Sequence, residues 1–60
     1  MFEKLPDDPV MLLSVVNTKL RDHYESLELL CNDLHVEKES ILLKLDMIDY
    51  YYDEKKNRFV

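Results

Sequence analysis

The chain has 60 residues, of which 47% are hydrophobic and 35% charged, and its formal net charge at pH 7 is -5. A chain this short forms one small domain with a limited core, so we expect no deep active-site cleft. The absence of glycine excludes the usual forms of the phosphate-binding loop, the dinucleotide fingerprint, the EF-hand loop and the nucleophile elbow.

The cysteine content and the longest apolar run bear on where the protein works. One cysteine cannot form an internal disulfide, which favours a reducing compartment. The longest apolar run, residues 10–16, is interrupted by Ser14. It is far shorter than the ~20 residues that a membrane-spanning helix needs. We therefore expect a cytoplasmic protein with no membrane partner.

The first third of the chain predicts an extended arm followed by a helix. Residues 1–8 form the arm, in which Phe2 and Leu5 are apolar anchors that favour packing. Asp8 and Pro9 give a typical helix start, because an acidic residue serves as the N-cap and proline fits the first helical position. Leucines and valines then recur at helical spacing, so helix 1 is predicted over residues 9–24.

The middle of the chain has the pattern of a helix-turn-helix. Apolar residues recur at helical spacing in two stretches: Leu27, Leu30 and Leu34, then Ile41, Leu45 and Ile48. They predict helix 2 over residues 27–34, capped by Ser26, and helix 3 over residues 38–48. Between the helices, His35 occupies the turn position at which a left-handed backbone is common, and Val36 fills the angle between them.

The C-terminal stretch YYYDEKKNRFV has strand-like ends and a polar middle. It predicts a β-hairpin over residues 50–60 with its turn near residues 55–57. Strand alternation places Tyr50 and Tyr52 on one face, and we expect that face to point inward with Phe59. A two-stranded hairpin is unstable alone, so it should pack on the helices as a small wing. The predicted fold class is mainly α, a three-helix helix-turn-helix-like domain with a short C-terminal hairpin.

Three stretches resemble a known family of short bacterial proteins. They are DPVMLLSVVNTKLRDHY at residues 8–24, the SLELLC start of helix 2, and the closing YYYDEKKNRFV. On these stretches the chain is similar to the domain of unknown function 4250 family over nearly its whole length. The resemblance implies a bacterial, intracellular, single-domain protein, and it brings no catalytic residues. Where such sequences often place glycine before the hairpin, this chain has Asp49.

The polar residues form no familiar catalytic or metal-binding pattern. Cys31 and His35 lie four positions apart with His23 nearby, but this spacing matches no usual zinc module. The carboxylates of residues 46–54 have no nucleophile or base within reach, so an acidic surface explains them better. We therefore expect a non-catalytic protein with no metal, no cofactor and no small-molecule substrate.

Two faces of the predicted helices are candidates for binding a partner. Leu42, Leu43 and Met47 lie outside the core stripe of helix 3, and such apolar residues mark a protein contact unless the hairpin covers them. The second candidate is a polar face of helix 1, made of Ser14, Asn17, Thr18 and Arg21. Tolerated surface residues or local bonds to the backbone are the other interpretation of that face. We predict a protein partner or self-association.

DNA binding by a winged-helix-like regulator is the alternative function. The hairpin cations Lys55, Lys56 and Arg58 would supply its phosphate contacts. The charge distribution disfavours a nucleic-acid partner, because residues 26–48 contain two basic and five acidic residues. A polyanion would be repelled from the helices that ought to read it.

Overall fold

The structure is a computed structural model that describes residues 5–60. In chain order its elements are α1 (Pro9–Asp22), α2 (Leu27–Leu34), α3 (Lys38–Asp46), β1 (Tyr52–Asp53) and β2 (Arg58–Phe59). The strands pair antiparallel, with Tyr52 opposite Phe59. The predicted fold class, mainly helical with a C-terminal hairpin, is confirmed. Residues 1–4 of the predicted arm lie outside the described residues.

Side-chain caps begin the first two helices. The Asp8 carboxylate accepts a hydrogen bond from the Val10 N–H at 3.3 Å. The Ser26 hydroxyl accepts one from the Leu29 N–H at 3.2 Å. These bonds satisfy backbone donors that have no partner inside a helix. Within the described residues, Glu37 at the start of α3 makes no such bond, so α3 depends more on its packing.

Two helices end earlier than the sequence predicts. Helix 1 was predicted to reach Tyr24, but α1 ends at Asp22 because the backbone leaves the helical conformation at His23, with φ of -129°. Helix 3 was predicted to reach Ile48, but α3 ends at Asp46. The last turn tightens there, since the Ile48 N–H bonds a carbonyl three residues back instead of four.

Left-handed backbone occurs at three non-glycine residues among those described. His35, Asp49 and Asn57 have φ of 57°, 62° and 53°. Histidine, aspartate and asparagine are the non-glycine residues most often found in this region. At His35 the Val36 N–H then bonds the Cys31 carbonyl at 3.1 Å, a bond that closes many helix ends. The three turns that need a left-handed backbone are therefore formed without glycine.

The hydrophobic core forms where the three helices and β2 meet. Its buried side chains are Leu12, Val16, Leu20, Leu27, Leu30, Cys31, Leu34, Ile41, Leu45 and Phe59. The helical leucines, valine and isoleucine lie on the stripes that the spacing predicts. The hairpin supplies Phe59, and Leu5 of the N-terminal segment packs against the same core. Burial of these apolar side chains is the main favourable contribution to folding.

Asn17 on α1 fastens the second strand of the hairpin. Its Nδ2 donates to the Phe59 carbonyl at 3.1 Å, and its Oδ1 accepts from the Phe59 N–H at 2.8 Å. One amide side chain thus pairs with both backbone groups of Phe59, much as a neighbouring strand would. The contact holds β2 against the helix while the Phe59 ring enters the core.

Asn57 fastens the hairpin turn to the end of α1. Its Nδ2 donates to the carbonyls of Leu20 and Tyr24 at 3.2 and 2.8 Å. Its Oδ1 accepts from the Tyr52 hydroxyl at 2.6 Å, and that hydroxyl accepts from the Leu27 N–H at 3.2 Å. These bonds satisfy the Leu20 carbonyl, which the end of α1 leaves without an intrahelical partner, and the Tyr24 carbonyl in the following loop. One connected network therefore joins α1, α2, β1 and the hairpin turn.

The three tyrosines that precede and enter β1 differ in position. Tyr52 faces inward as predicted, with its ring centroid 5.4 Å from that of Phe59. The prediction that Tyr50 joins it is wrong, because Tyr50 follows the left-handed turn at Asp49, lies before the strand and is exposed. Tyr51 is also exposed, and its backbone pairs with that of Val60 beyond the strand ends.

Candidate functional site

The structure divides the predicted apolar patch of α3. Leu43 and Met47 are 67% and 75% exposed. Leu42 is only half-buried and packs against the core, so its main contribution is to the fold. Met47 directly follows α3 and keeps a helical backbone, so it continues the face of Leu43, four residues earlier. The freely accessible apolar surface of α3 is this face.

A groove of about 520 Å³ lies between α3 and the residues that lead into the hairpin. Leu42 and Leu43 line its α3 side, and Tyr50 and Tyr51 line the other. We name it the α3–tyrosine groove. Tyr51 is 57% exposed, so both walls carry accessible apolar surface. Leu42 is partly buried against the core, and Leu43 is exposed.

Charged side chains border the α3–tyrosine groove. Asp46 and Glu54 line it together with Lys38. The Lys38 ammonium lies 3.6 Å from the Glu28 carboxylate, so its charge is partly compensated from α2. Hydrogen bonding to the nearby Asp46 carboxylate, together with its negative charge, raises the pKa of the Tyr51 phenol. The groove therefore has an apolar lining and an acidic edge.

The predicted polar face of helix 1 has three different fates. Asn17 is committed to β2 by its bonds with Phe59. Ser14 is exposed, and it lines neither the α3–tyrosine groove nor the groove between α1 and the hairpin. Thr18 and Arg21 are exposed and face a second groove. Neither a partner nor a local backbone bond accounts for Asn17, because its bonds reach a strand 42 positions away. A binding role remains a prediction for Thr18 and Arg21.

The second groove, of about 640 Å³, separates α1 from the hairpin. It is lined by Thr18 and Arg21 on α1, by Lys56 and Arg58 on the hairpin, and by the fastening amides Asn17 and Asn57. We name it the α1–hairpin groove. It joins two sets of residues that the sequence treats as separate candidates, the polar face of helix 1 and the hairpin cations. The third predicted cation, Lys55, does not line it.

The α1–hairpin groove is basic. Arg21 donates from Nε and Nη2 to the two carboxylate oxygens of Asp22, at 2.8 and 3.0 Å. This hydrogen bond lowers the pKa of the Asp22 carboxyl. Among the described residues, Lys56 and Arg58 form no ion pair. Two of the three cations are therefore free of acidic partners.

The candidate metal ligands of the sequence are not brought together. Over residues 5–60, no three His, Cys, Asp or Glu side chains lie close enough to hold a metal ion. Cys31 is buried as a free thiol in the core, and burial raises its pKa. His35 supplies the left-handed turn after α2. In the same part of the chain, no helix has the length and apolar character to cross a membrane.

The Cys31 thiol is expected to react slowly with a thiol-specific reagent in the folded protein, because the thiolate is the reactive form. Since the pKa is raised only in the folded state, the unfolded chain loses the proton first. The free energy of unfolding should therefore fall as the pH rises above 9.0, the ordinary value for the group. Labelling rates with and without denaturant test the first statement. Unfolding curves of the wild type and of Cys31→Ala across that pH range test the second, and equal pH dependence would contradict it.

The fold and its two grooves define a small helical domain with a docked hairpin. The chain belongs to the family described as Domain of unknown function (DUF4250), whose model matches residues 6–59. The resemblance found in the sequence is thereby confirmed. No curated protein and no solved structure matches the chain.

Proposed function

We propose that the protein is a non-catalytic interaction module that binds an apolar segment of a partner protein in the α3–tyrosine groove. The observation that carries this proposal is the exposure of Leu43 and Tyr51 on opposite walls of one groove. Large apolar side chains that line an accessible concave surface are typical of protein-binding sites. Met47 extends the apolar face by one helical turn beyond Leu43.

The groove favours an amphipathic helix with basic residues beside its apolar stripe. Such helices place apolar side chains into a groove at helical spacing. Asp46 and Glu54 would attract lysine or arginine at the edge of that stripe. A second copy of the chain is the other occupant compatible with an interaction module. The net charge of -5 works against it, since two copies repel each other.

The proposed location is a bacterial cytoplasm. The support is the chemistry of Cys31, which contributes to the core as a free thiol and therefore suits a reducing compartment. The resemblance to short bacterial proteins supports the same assignment.

A winged-helix-like DNA-binding regulator is the second candidate function. The observation in its favour is that Lys56 and Arg58 come together with Arg21 in the α1–hairpin groove. Against it, both lysines of α3 lie beside a carboxylate: Lys38 is 3.6 Å from Glu28, and Lys44 is 3.1 Å from Asp7. A DNA-reading helix needs free donors. The geometry therefore supports the interaction module better.

Leu43→Asp is expected to abolish partner binding while the free energy of unfolding changes by less than about 1 kcal/mol, because surface substitutions away from special features have small effects. A charge on the apolar wall must be desolvated when a partner helix covers it, which is costly. The measurement compares proteins cross-linked to the wild type and to the variant in cells. Each protein that cross-links to the wild type is then purified, and its binding to the wild type and to the variant is measured by calorimetry.

Leu29→Asp is the matched control for this experiment. Leu29 is an exposed leucine of α2, at 50%, and does not line the α3–tyrosine groove. The same chemical change at that position should leave partner binding intact. Loss of a partner from both variants alike, or its retention by Leu43→Asp, would contradict the proposal. Sedimentation of the wild type, Leu43→Asp and Leu29→Asp distinguishes a partner protein from a second copy of the chain. A dimer that is lost only in Leu43→Asp would identify the second copy as the occupant.

A further inference from the structure

We propose that the α1–hairpin groove is a second binding site, which takes a short acidic peptide segment of a partner protein. The site is separate from the α3–tyrosine groove and does not depend on what that groove binds. Its cations come from both walls, Arg21 on α1 and Lys56 and Arg58 on the hairpin. No single stretch of the sequence contains them all, and packing of the hairpin on α1 brings them together.

The cations are available for a ligand. Lys56 and Arg58 are exposed and form no ion pair among the described residues. Arg21 spends Nε and Nη2 on Asp22, which leaves its Nη1 amino group for a further acceptor. Thr18 adds a hydroxyl to the same groove. Guanidinium groups and carboxylates make strong charge-assisted hydrogen bonds, so carboxylate side chains suit this set of donors.

The backbone that carries these cations is held in place. The two bonds of Asn17 with Phe59 fix β2 on α1. The two bonds of Asn57 with the carbonyls of Leu20 and Tyr24 fix the turn. A ligand therefore meets a groove that is already formed, and binding costs less ordering than it would at a free hairpin.

The charge distribution of the whole chain favours a short acidic segment over a long polyanion. At physiological ionic strength, exposed charges are screened beyond about 8 Å. A peptide with a few carboxylates responds mainly to the cations of the groove. A longer nucleic acid extends past the groove and is repelled by a chain whose formal net charge is -5. The residues that line the groove also include no aromatic ring on which a base could stack.

The test uses a synthetic peptide of alternating glutamate and serine, titrated into the isotope-labelled full chain and followed by NMR. The amide signals of Thr18, Arg21 and Lys56 should shift, and the affinity should fall as salt is added. Lys56→Glu should weaken binding by about tenfold, the loss of one good charge contact. A single-stranded and a duplex oligonucleotide are titrated in parallel.

Lys55→Glu is the matched control. It changes the net charge by the same amount, but the Lys55 side chain does not line the groove. The backbone N–H groups of Lys55 and Lys56 donate to Asp53 Oδ1 at 2.9 and 3.1 Å. Neither substitution removes these bonds, because they involve only the backbone of the two lysines. Lys55→Glu should therefore alter the affinity by much less than Lys56→Glu.

Several results would overturn the proposal. Equal weakening by both charge reversals would show that the peptide responds only to net charge. An absence of shifts in the groove would show that it is not a site, and tighter binding of either oligonucleotide would assign the groove to nucleic acid. Leu43→Asp should bind the acidic peptide like the wild type, so a failure at this groove is distinguishable from a failure at the α3–tyrosine groove.

Discussion

Leu45→Ala is expected to lower the free energy of unfolding by about 2–5 kcal/mol, the usual cost of truncating a buried leucine. Leu45 is 0% exposed and belongs to the core that joins α3 to the other helices. The total stability expected for a chain of this length is only about 3–9 kcal/mol. The loss is therefore a large fraction of the total stability, and the midpoint of a urea titration followed by circular dichroism should fall accordingly.

Leu43→Ala is the matched control for that experiment. It makes the same chemical change two residues away on the same helix, at a side chain that is 67% exposed. Its effect should stay within about 0.5 kcal/mol, the range of ordinary surface substitutions. The pair therefore tests which face of α3 points into the core. Equal effects of the two substitutions would contradict the assigned rotation of the helix.

Asn57→Ala is expected to lower the free energy of unfolding by about 2–4 kcal/mol, because the carbonyls of Leu20 and Tyr24 lose their donor at a partly buried place. The Tyr52 hydroxyl also loses its acceptor. Alanine adds a backbone cost, since Asn57 has φ of 53° and a β-carbon is crowded there. Thermal and urea unfolding measure the sum of these effects.

Asn57→Gly separates the side chain from the backbone. Glycine adopts positive φ without crowding but has no amide, so its loss of stability should be smaller than that of alanine by about 1 kcal/mol. NMR shifts of Phe59 report whether β2 still lies on α1 in each variant. If Asn57→Gly were as stable as the wild type, the Asn57 amide bonds would contribute nothing, and Phe59 burial and the two Asn17 bonds would have to hold the hairpin.

Local rules are sufficient to predict the helices from the sequence. The leucines of α2 recur every three or four residues behind a serine cap, and the bounds of this helix match the prediction. His35 has the left-handed backbone that its place in the turn suggests. The ends of α1 and α3 are less predictable, because helix ends depend on where the following chain must go as well as on local sequence.

Packing of the hairpin on the helices was predicted, but the contacts that hold it could not be, because they join residues far apart in the chain. Asn17 and Phe59 are 42 positions apart. The sequence does give a signal, since asparagine is a poor choice for a solvated helix face. That signal predicts a special role for Asn17 but does not say which. A carboxamide that can donate and accept at once fits an exposed strand edge as well as it fits a ligand.

For the candidate sites, too, local periodicity was predictable from the sequence and long-range contacts were not. Periodicity identifies apolar residues of α3 outside the core stripe, but it does not say how far the tyrosines cover them. Leu42 and Leu43 differ by one position, and about 100° of helical rotation separates a side chain that packs on the core from one that is exposed. Likewise, Arg21 and Lys56 line the same groove only because the hairpin packs on α1.

The left-handed turns at His35, Asp49 and Asn57 also shape the unfolded ensemble. Glycine at these positions would relieve crowding in the native state, but it would widen the range of conformations that folding must remove. A chain without glycine begins from a stiffer denatured state and loses less entropy when each turn closes. In a domain too small for a large core, part of the stability thus originates in the restriction of the denatured chain.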